Sequence, residues 1–327
     1  MINLIFDSHA DIWTDVTIMR QKGYKNIFKM KHIQKYKDSG VKGGIFVIWI
    51  DPPYDKDPKK RALEIIEHMS SEILDNMDVF KIIKSYEDLS ENIGENKISV
   101  LIGLEGLSFI GKRIGLLDSL YMFGARHASL TWNEENDLAT GVRGNVDRGL
   151  TETGKNAVKK IEKLGIILDV SHLNDKSFWD IASIATKPFI ASHSNCRSLC
   201  SNMRNLTDNQ LRVIGDVGGV VGLNAFSDFV NDDKSKRDIY HLANHIDHMV
   251  DIMGIDHVGF GFDFCDYLES DTMSSFAEEE STNTKGFEDI TKVPLLIEVL
   301  KEKGYKKEDI NKIAYKNYFR VIKEIVG

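Results

Sequence analysis

Short apolar, β-branched runs recur along the chain at residues 2–6, 43–50, 98–105, 126–132, 165–171, 188–193, 218–224 and 257–263. Between them lie stretches such as "KKRALEIIEHMSSEIL", "GKNAVKKIEKLG", "DKSFWDIASIA" and "IYHLANHIDHMVDIMG". Their apolar residues return every three or four positions, which predicts helices with one face on a sheet. Strand–helix alternation predicts a parallel sheet, because parallel neighbours need a crossover connection. Eight such units predict an α/β fold closed into a (β/α)8 TIM-like barrel rather than an open doubly wound sheet.

The chain has 327 residues, enough for one barrel domain spanning 1–327. No internal repeat or low-complexity linker divides it. Two polar stretches, 133–153 and 266–290, read as long loops. In a compact domain, such loops are often walls of an active site.

Composition narrows the function classes. The formal net charge of −8 argues against a nucleic-acid partner. The lysines between Lys22 and Lys37 read as a solvated helix face. No run approaches the ~20 apolar residues of a membrane span. The N-terminus enters a strand directly, without the features of an export leader. Cys196, Cys200 and Cys265 are three sparse cysteines with no CxxC spacing, which points to a reducing compartment. A cytoplasmic protein is expected.

The chemistry sits where the strands end. In "FDSHADIW", His9 and Asp11 follow the first apolar run with period two, so both project to one side. Glu105 closes the third run in "GLEG". His172 follows the fifth in "LDVSH", His193 ends the sixth in "ASHS", and Asp263 ends the eighth in "GFDF". Singly, each has an ordinary structural reading: a satisfied core histidine, an ion-paired carboxylate or a loop cap. Jointly they need a common cause, because barrel enzymes work at the C-terminal ends of their strands and unpaired buried charges are costly. Three imidazoles and three carboxylates suffice for two zinc-like ions sharing one carboxylate.

These motifs resemble the membrane (renal) dipeptidase family of zinc peptidases and its soluble bacterial members. The resemblance runs from "DSHAD" through "GLEG", "LYMFGARHASLTWNEEN", "LDVSH", "ASHSNCRSLCSNMRNLTDNQL" and "GIDHVGFGFDF" to "GFEDITKVPLLIEVL". It implies a barrel of the metal-dependent hydrolase type, two Zn2+ and a homodimer. His9 and Asp11 match the ligands of one ion, His172 and His193 those of the other, and Glu105 the carboxylate between them. Arg204 matches the arginine that holds the substrate's C-terminal carboxylate, and Asp263 the acid/base carboxylate. The implied reaction is hydrolysis of small dipeptides with a free C-terminal carboxylate, with a D-residue tolerated there. The chemistry is coherent: divalent ions polarise a carbonyl and acidify water, a carboxylate moves the proton, and a guanidinium fork matches a carboxylate.

One position departs from the family pattern. Where many members end the fourth strand in "LTH", this chain has Trp132 in "LTWN". Indole can donate through its N–H but cannot accept or become cationic, so Trp132 either lines the pocket or partly replaces a donor. His127, five residues back, is expected to face the other side. His241, His245 and His248 read as the partly exposed edge of a helix rather than a second metal site. There is no HExxH, no complete GxGxxG or P-loop, and no GxSxG. Two alternatives stay open: a related amidohydrolase acting on an acylated amino acid or cyclic amide, and an inactive binding protein on the same barrel.

Overall fold

The computed structural model describes residues 4–274 and 282–327, apart from Gly94 and Asn96. Eight strands form one parallel sheet: β1 (Ile5–Ala10), β2 (Val41–Trp49), β3 (Phe80–Ile82), β4 (Ile98–Glu105), β5 (Ala125–Ser129), β6 (Ile167–Asp169), β7 (Val221–Leu223) and β8 (Val258–Phe260). Their order is β6-β5-β4-β2-β1-β8-β7. The strand β3 pairs only the start of β4, below the stretch of β4 that pairs β5. It was not expected from the sequence, being three residues long and carrying a lysine.

The gap between β6 and β7 is filled by the segment expected as a sixth strand at 188–193. Only Ile190 and Ala191 make ladder bridges there, to Asp169 and Val221. The ladder stops at Ser192 for a local reason. The Ser192 N–H donates to the Asp169 side chain at 3.0 Å, and its carbonyl accepts the Ser8 hydroxyl at 2.5 Å. Side chains have taken over bonds that a neighbouring strand would make. With this segment in place, the eight staves close on themselves as the alternation predicts, giving a parallel α/β barrel.

Strand faces follow period two. Ile45, Val47, Leu101, Ile167, Ile190 and Val220 belong to one buried cluster, which also takes Tyr318, Phe319 and Ile322 from the C-terminal helix Asn317–Ile325. Phe46, Ile48, Val100, Ile102, Leu104 and Leu168 belong to another, shared with the surrounding helices. Burial on both faces explains why β2 and β4 read as nearly unbroken apolar runs.

Several boundaries differ from expectation; β6, β7 and β8, for instance, are each shorter than their apolar runs. The first strand includes His9 instead of ending at Phe6, and residues 2 and 3 of the expected run lie outside the described residues. The fourth expected strand, here β5, ends at Ser129 instead of reaching Trp132. The expected 266–290 loop holds a short helix, Ser270–Ser274, and part of it, 275–281, lies outside the described residues. The lysine-rich stretch is tied down by ion pairs: Lys31 to Asp15 at 2.5 Å, Lys29 to Asp78 at 2.9 Å and Lys35 to Asp266 at 2.6 Å. No described helix is long and apolar enough to cross a membrane.

Candidate metal centre and substrate cavity

The six strand-end residues converge at one mouth of the barrel. His9 lies on β1, and Asp11 is the N-cap of the next helix, Ile12–Gln21. An N-cap aspartate ordinarily accepts from its own helix, but Asp11 makes no such bond. Its Oδ2 instead lies 3.5 Å from His9 Nε2, and its Oδ1 is buried with no hydrogen-bond partner. Glu105 ends β4 on the same inward face as Leu101. It can turn sharply there because Gly106 follows at φ +75°, where a Cβ would meet the Trp132 backbone nitrogen at 2.9 Å.

The two oxygens of Glu105 face two different groups. Oε2 lies 3.5 Å from His9 Nε2. Oε1 lies 2.8 Å from His172 Nε2 and 3.6 Å from His193 Nε2. Asp263 Oδ1 stands 3.7 Å from His9 Nε2. His172 (φ 70°) and Asp263 (φ 56°) both hold left-handed backbone conformations without being glycine. Such strain, ~1–3 kcal/mol per residue, persists where the surrounding structure over-determines it and concentrates at functional sites.

Neighbouring groups that the sequence reading did not single out fix these rings. His172 Nδ1 lies 2.8 Å from Asn133 Oδ1, on the loop expected as a wall. That oxygen only accepts, so Nδ1 carries the proton. His193 Nδ1 lies 2.7 Å from Ser192 Oγ, and Ser192 gives its hydroxyl proton to Asp169 at 2.5 Å. Its Oγ therefore accepts from His193 Nδ1–H. Both histidines thus present the bare lone pair of Nε2 to the centre, only 2.8 Å apart. Two lone pairs repel at that distance, and a cation between them and Glu105 removes the conflict. Groups of ligand atoms suited to a metal occur at His9, Glu105 and His193, and at His9, Asp11 and Asp263. Three imidazole nitrogens with carboxylate oxygens form a donor set that suits zinc.

The electrostatics follow from burial. Desolvation raises Glu105 well above the usual carboxylate range, against the pull of His9. It raises Asp263 to about 6, again partly offset by His9. Burial works against a charged His9, but the Glu105, Asp11 and Asp263 carboxylates outweigh it and push the imidazole to about 10. Burial drives His172 and His193 well below the ordinary histidine value, with Arg204 and His9 adding to the effect. Burial also opposes the charge on Asp169, yet His127, Ser192 and the Ser171 N–H together hold it below its ordinary value. His172 and His193 are thus held in the neutral form a metal takes, whereas His9 and Glu105 would give up protons to a bound cation.

A cavity of about 650 Å³ opens over this centre, lined among others by Trp49, Trp132, Arg204, Phe229 and Asp263. Arg204 is 7 % exposed. It donates through Nη2 to the His193 carbonyl at 3.2 Å, its guanidinium carbon stands 5.5 Å from the centre of the Phe229 ring, and its Nε has no partner. Burial lowers its guanidinium to about 10. Asn224 Nδ2 donates to Asp263 Oδ2 at 3.0 Å. Trp132 is half-buried, with its ring 5.3 Å from Trp49 and 6.0 Å from His172.

Two expectations are corrected. Because β5 stops at Ser129, the period-two argument does not carry to Trp132; His127 points into the barrel, against Asp169 at 3.0 Å. His245 is fully buried, not on an exposed edge. Its Nδ1 accepts from the Cys196 N–H at 3.1 Å and its Nε2 donates to the Val230 carbonyl at 2.8 Å. It thus ties two loops of the cavity wall to the helix Ile239–Met253. His241 and His248 are half-buried and pair with Asp238 and Asp208. The three cysteines are buried free thiols.

The profile of the membrane dipeptidase family (peptidase family M19) matches residues 3–326. A Klebsiella pneumoniae protein, described as an uncharacterized protein in the pqqA 5′ region, is 35% identical over 246 residues, covering 72% of this chain and 85% of that one. A Rhodobacter sphaeroides metallopeptidase, solved with a phosphinate mimic of the dipeptide L-Ala-D-Ala, is 25% identical with a TM-score of 0.86, covering 98% of this chain and 99% of its own. A solved metallopeptidase named dipeptidase AC is 25% identical with a TM-score of 0.88 over the full length of both. A barrel whose strand ends gather three histidines and three carboxylates beneath a buried arginine thus belongs to the membrane dipeptidase family of metal-dependent dipeptidases.

Proposed function

We propose that this protein is a binuclear zinc dipeptidase acting on dipeptides with a free C-terminal carboxylate. The observation that carries the reading is Glu105, whose two oxygens face separate ligand groups, His9 with Asp11 on one side and His172 with His193 on the other. Those five residues would hold two ions, with Glu105 between them. The ions, when bound, would polarise the scissile carbonyl and acidify the attacking water. Asp263 takes the proton of that water and delivers it to the leaving amine. Its place beside His9, its pKa raised to about 6 by burial, and the Asn224 bond on its other oxygen suit both duties.

Arg204 binds the substrate's C-terminal carboxylate. A buried guanidinium with a single hydrogen bond to a carbonyl has spare donors, and a carboxylate matches them in a bidentate way. Substrate clamped at that end is short on that side, which makes the enzyme a dipeptidase. The L-Ala-D-Ala mimic bound by the Rhodobacter sphaeroides relative supports tolerance of a D-residue at the C-terminal position. Zinc content of the purified protein, measured together with turnover of L,L- and L,D-dipeptides and of N-acylated amino acids, tests the reading. Two ions per chain with preference for free dipeptides is expected; turnover of the acylated compounds alone would reassign it to amidohydrolysis.

A further inference from the structure

Inside the barrel, the chain of polar contacts that ends at His193 extends one step further back, to His127. His127 on β5 and Asp169 at the end of β6 are each 1 % exposed, and their side chains meet at 3.0 Å. Every other contact of the Asp169 carboxylate runs toward the site. Its Oδ1 accepts the N–H groups of Ser171 at 2.9 Å and Ser192 at 3.0 Å. Its Oδ2 accepts the Ser192 hydroxyl at 2.5 Å, and that hydroxyl oxygen receives His193 Nδ1 at 2.7 Å.

The order of donors is forced. A carboxylate only accepts, so His127 Nε2–H and Ser192 Oγ–H both point at Asp169, and Ser192 is left to accept from His193. Among the described residues, His127 and Ser192 are the side chains with a hydrogen bond to the Asp169 carboxylate. Without His127, Asp169 Oδ2 would keep only the Ser192 hydroxyl as a donor among the described residues. The fold makes room for the ring at Gly103, its register partner on β4. A Cβ at Gly103 would lie 2.9 Å from His127 Nδ1 and 2.6 Å from Ile45 Cγ2, so a larger residue there would displace the imidazole.

We propose that His127 is a positioning residue which, through Asp169 and Ser192, fixes the ring orientation and tautomer of His193. Its role is to keep His193 Nε2 turned as a lone pair toward Glu105 and His172, three contacts away from itself. The proposal rests on the reading of His193 as a metal ligand. Residues that orient a ligand from behind are typically worth about 10–100-fold in metal affinity, and one acting at two removes belongs at the lower end.

The test is zinc affinity of the metal-free proteins, measured by competition with a chromophoric chelator, with thermal unfolding recorded alongside. His127→Phe should weaken one of two zinc sites about tenfold and leave the other unchanged. His127→Gln, whose amide can still donate to Asp169, should stay within about threefold of wild type. Should His127→Phe not fold, His127→Asn, an amide one methylene shorter, takes its place with the same expected loss. Adding the His127 change to Ser192→Ala should cost nothing further, because the path is already cut. Wild-type affinity at both sites in His127→Phe, or an undiminished tenfold loss on the Ser192→Ala background, overturns the proposal. Wild-type protein that binds no zinc would instead remove the metal-centre reading itself.

Discussion

His172 Nε2 and His193 Nε2 face each other at 2.8 Å, each with its Nδ1 proton committed to an oxygen behind it. A pair of lone pairs held this way is unfavourable until a cation lies between them, so the fold itself disposes this corner of the barrel to bind metal. Stability and metal loading should therefore be linked. Ligand that binds only the native state stabilises it by RT ln(1 + [L]/Kd), about 4 kcal/mol at a thousandfold excess over Kd. Dialysis against a strong chelator should lower Tm by several degrees, and zinc should restore it. If Glu105 holds both ions as proposed, Glu105→Gln should reduce the zinc content of both sites; elemental analysis retaining one full-affinity ion in this variant would show that Glu105 does not bridge.

Arg204→Ala should act on substrate recognition. Loss of a charge-assisted bidentate contact in a buried site costs on the order of 2–4 kcal/mol, read as a fall in kcat/KM of roughly 30- to 1000-fold on free-acid dipeptides. C-terminally amidated dipeptides should be poor substrates of the wild type and little changed by the substitution. Equal turnover of acid and amide by wild-type enzyme would take Arg204 out of this role.

The buried His245 predicts a pH dependence of stability. Burial pulls its imidazole from 6.5 to about 4, against the raising effect of its bond to the Val230 carbonyl. The neutral ring is the one that fits, since it accepts from the Cys196 N–H and donates to Val230. Between pH 6.5 and about 4 the unfolded chain therefore binds a proton that the folded chain refuses. Stability from this residue is fully present above about pH 6.5 and declines as pH falls toward 4, by on the order of 3 kcal/mol in all. His245→Gln should be less stable than wild type at pH 7.5, with the gap narrowing at pH 5. Thermal unfolding of both proteins in metal-free form isolates the effect, and a gap that stays constant with pH would contradict it.

The residues at the strand ends were legible because two signals coincide there: apolar runs end, and ionisable groups begin. That coincidence places His9, Glu105, His172, His193 and Asp263 at one mouth from sequence alone. The residues behind them were not legible in the same way. Asn133, Ser192 and Asn224 are common polar types, and their value comes from contacts with His172, His193 and Asp263 that no local pattern encodes. Tertiary contacts also cut a predicted strand short. The run at 188–193 has the right composition, but the Ser192 backbone is bonded to Asp169 and Ser8 instead of a neighbouring strand. His127 and His245 were misjudged for opposite reasons. The first was counted along a strand that ends three residues early, and the second sits on a helix whose polar-looking flank is covered by the loops it binds.

On the proposed function, Asp263 would carry the proton transfer and Trp132 would shape the pocket. Asp263→Asn keeps the volume and the neighbour Asn224 but removes the base, so kcat should fall by roughly 100-fold or more with zinc content preserved. Full activity in this variant would overturn the acid/base assignment. Trp132 stands between Trp49 and His172 at the cavity wall, where its indole could reach the scissile carbonyl or merely contact a substrate side chain. The two roles separate in kinetics. A donor to the developing oxyanion is worth about 3 kcal/mol when well placed, so Trp132→Phe would lower kcat at least tenfold with KM little changed. A lining residue would leave kcat on small dipeptides near wild type and shift the preference among side chains. The ring's contact with Trp49 on β2, another residue of the cavity lining, favours the lining role. Trp132→Phe should therefore change relative kcat/KM across a dipeptide panel more than it changes kcat on any one member, and a uniform tenfold loss of kcat across the panel would assign the indole to the oxyanion instead.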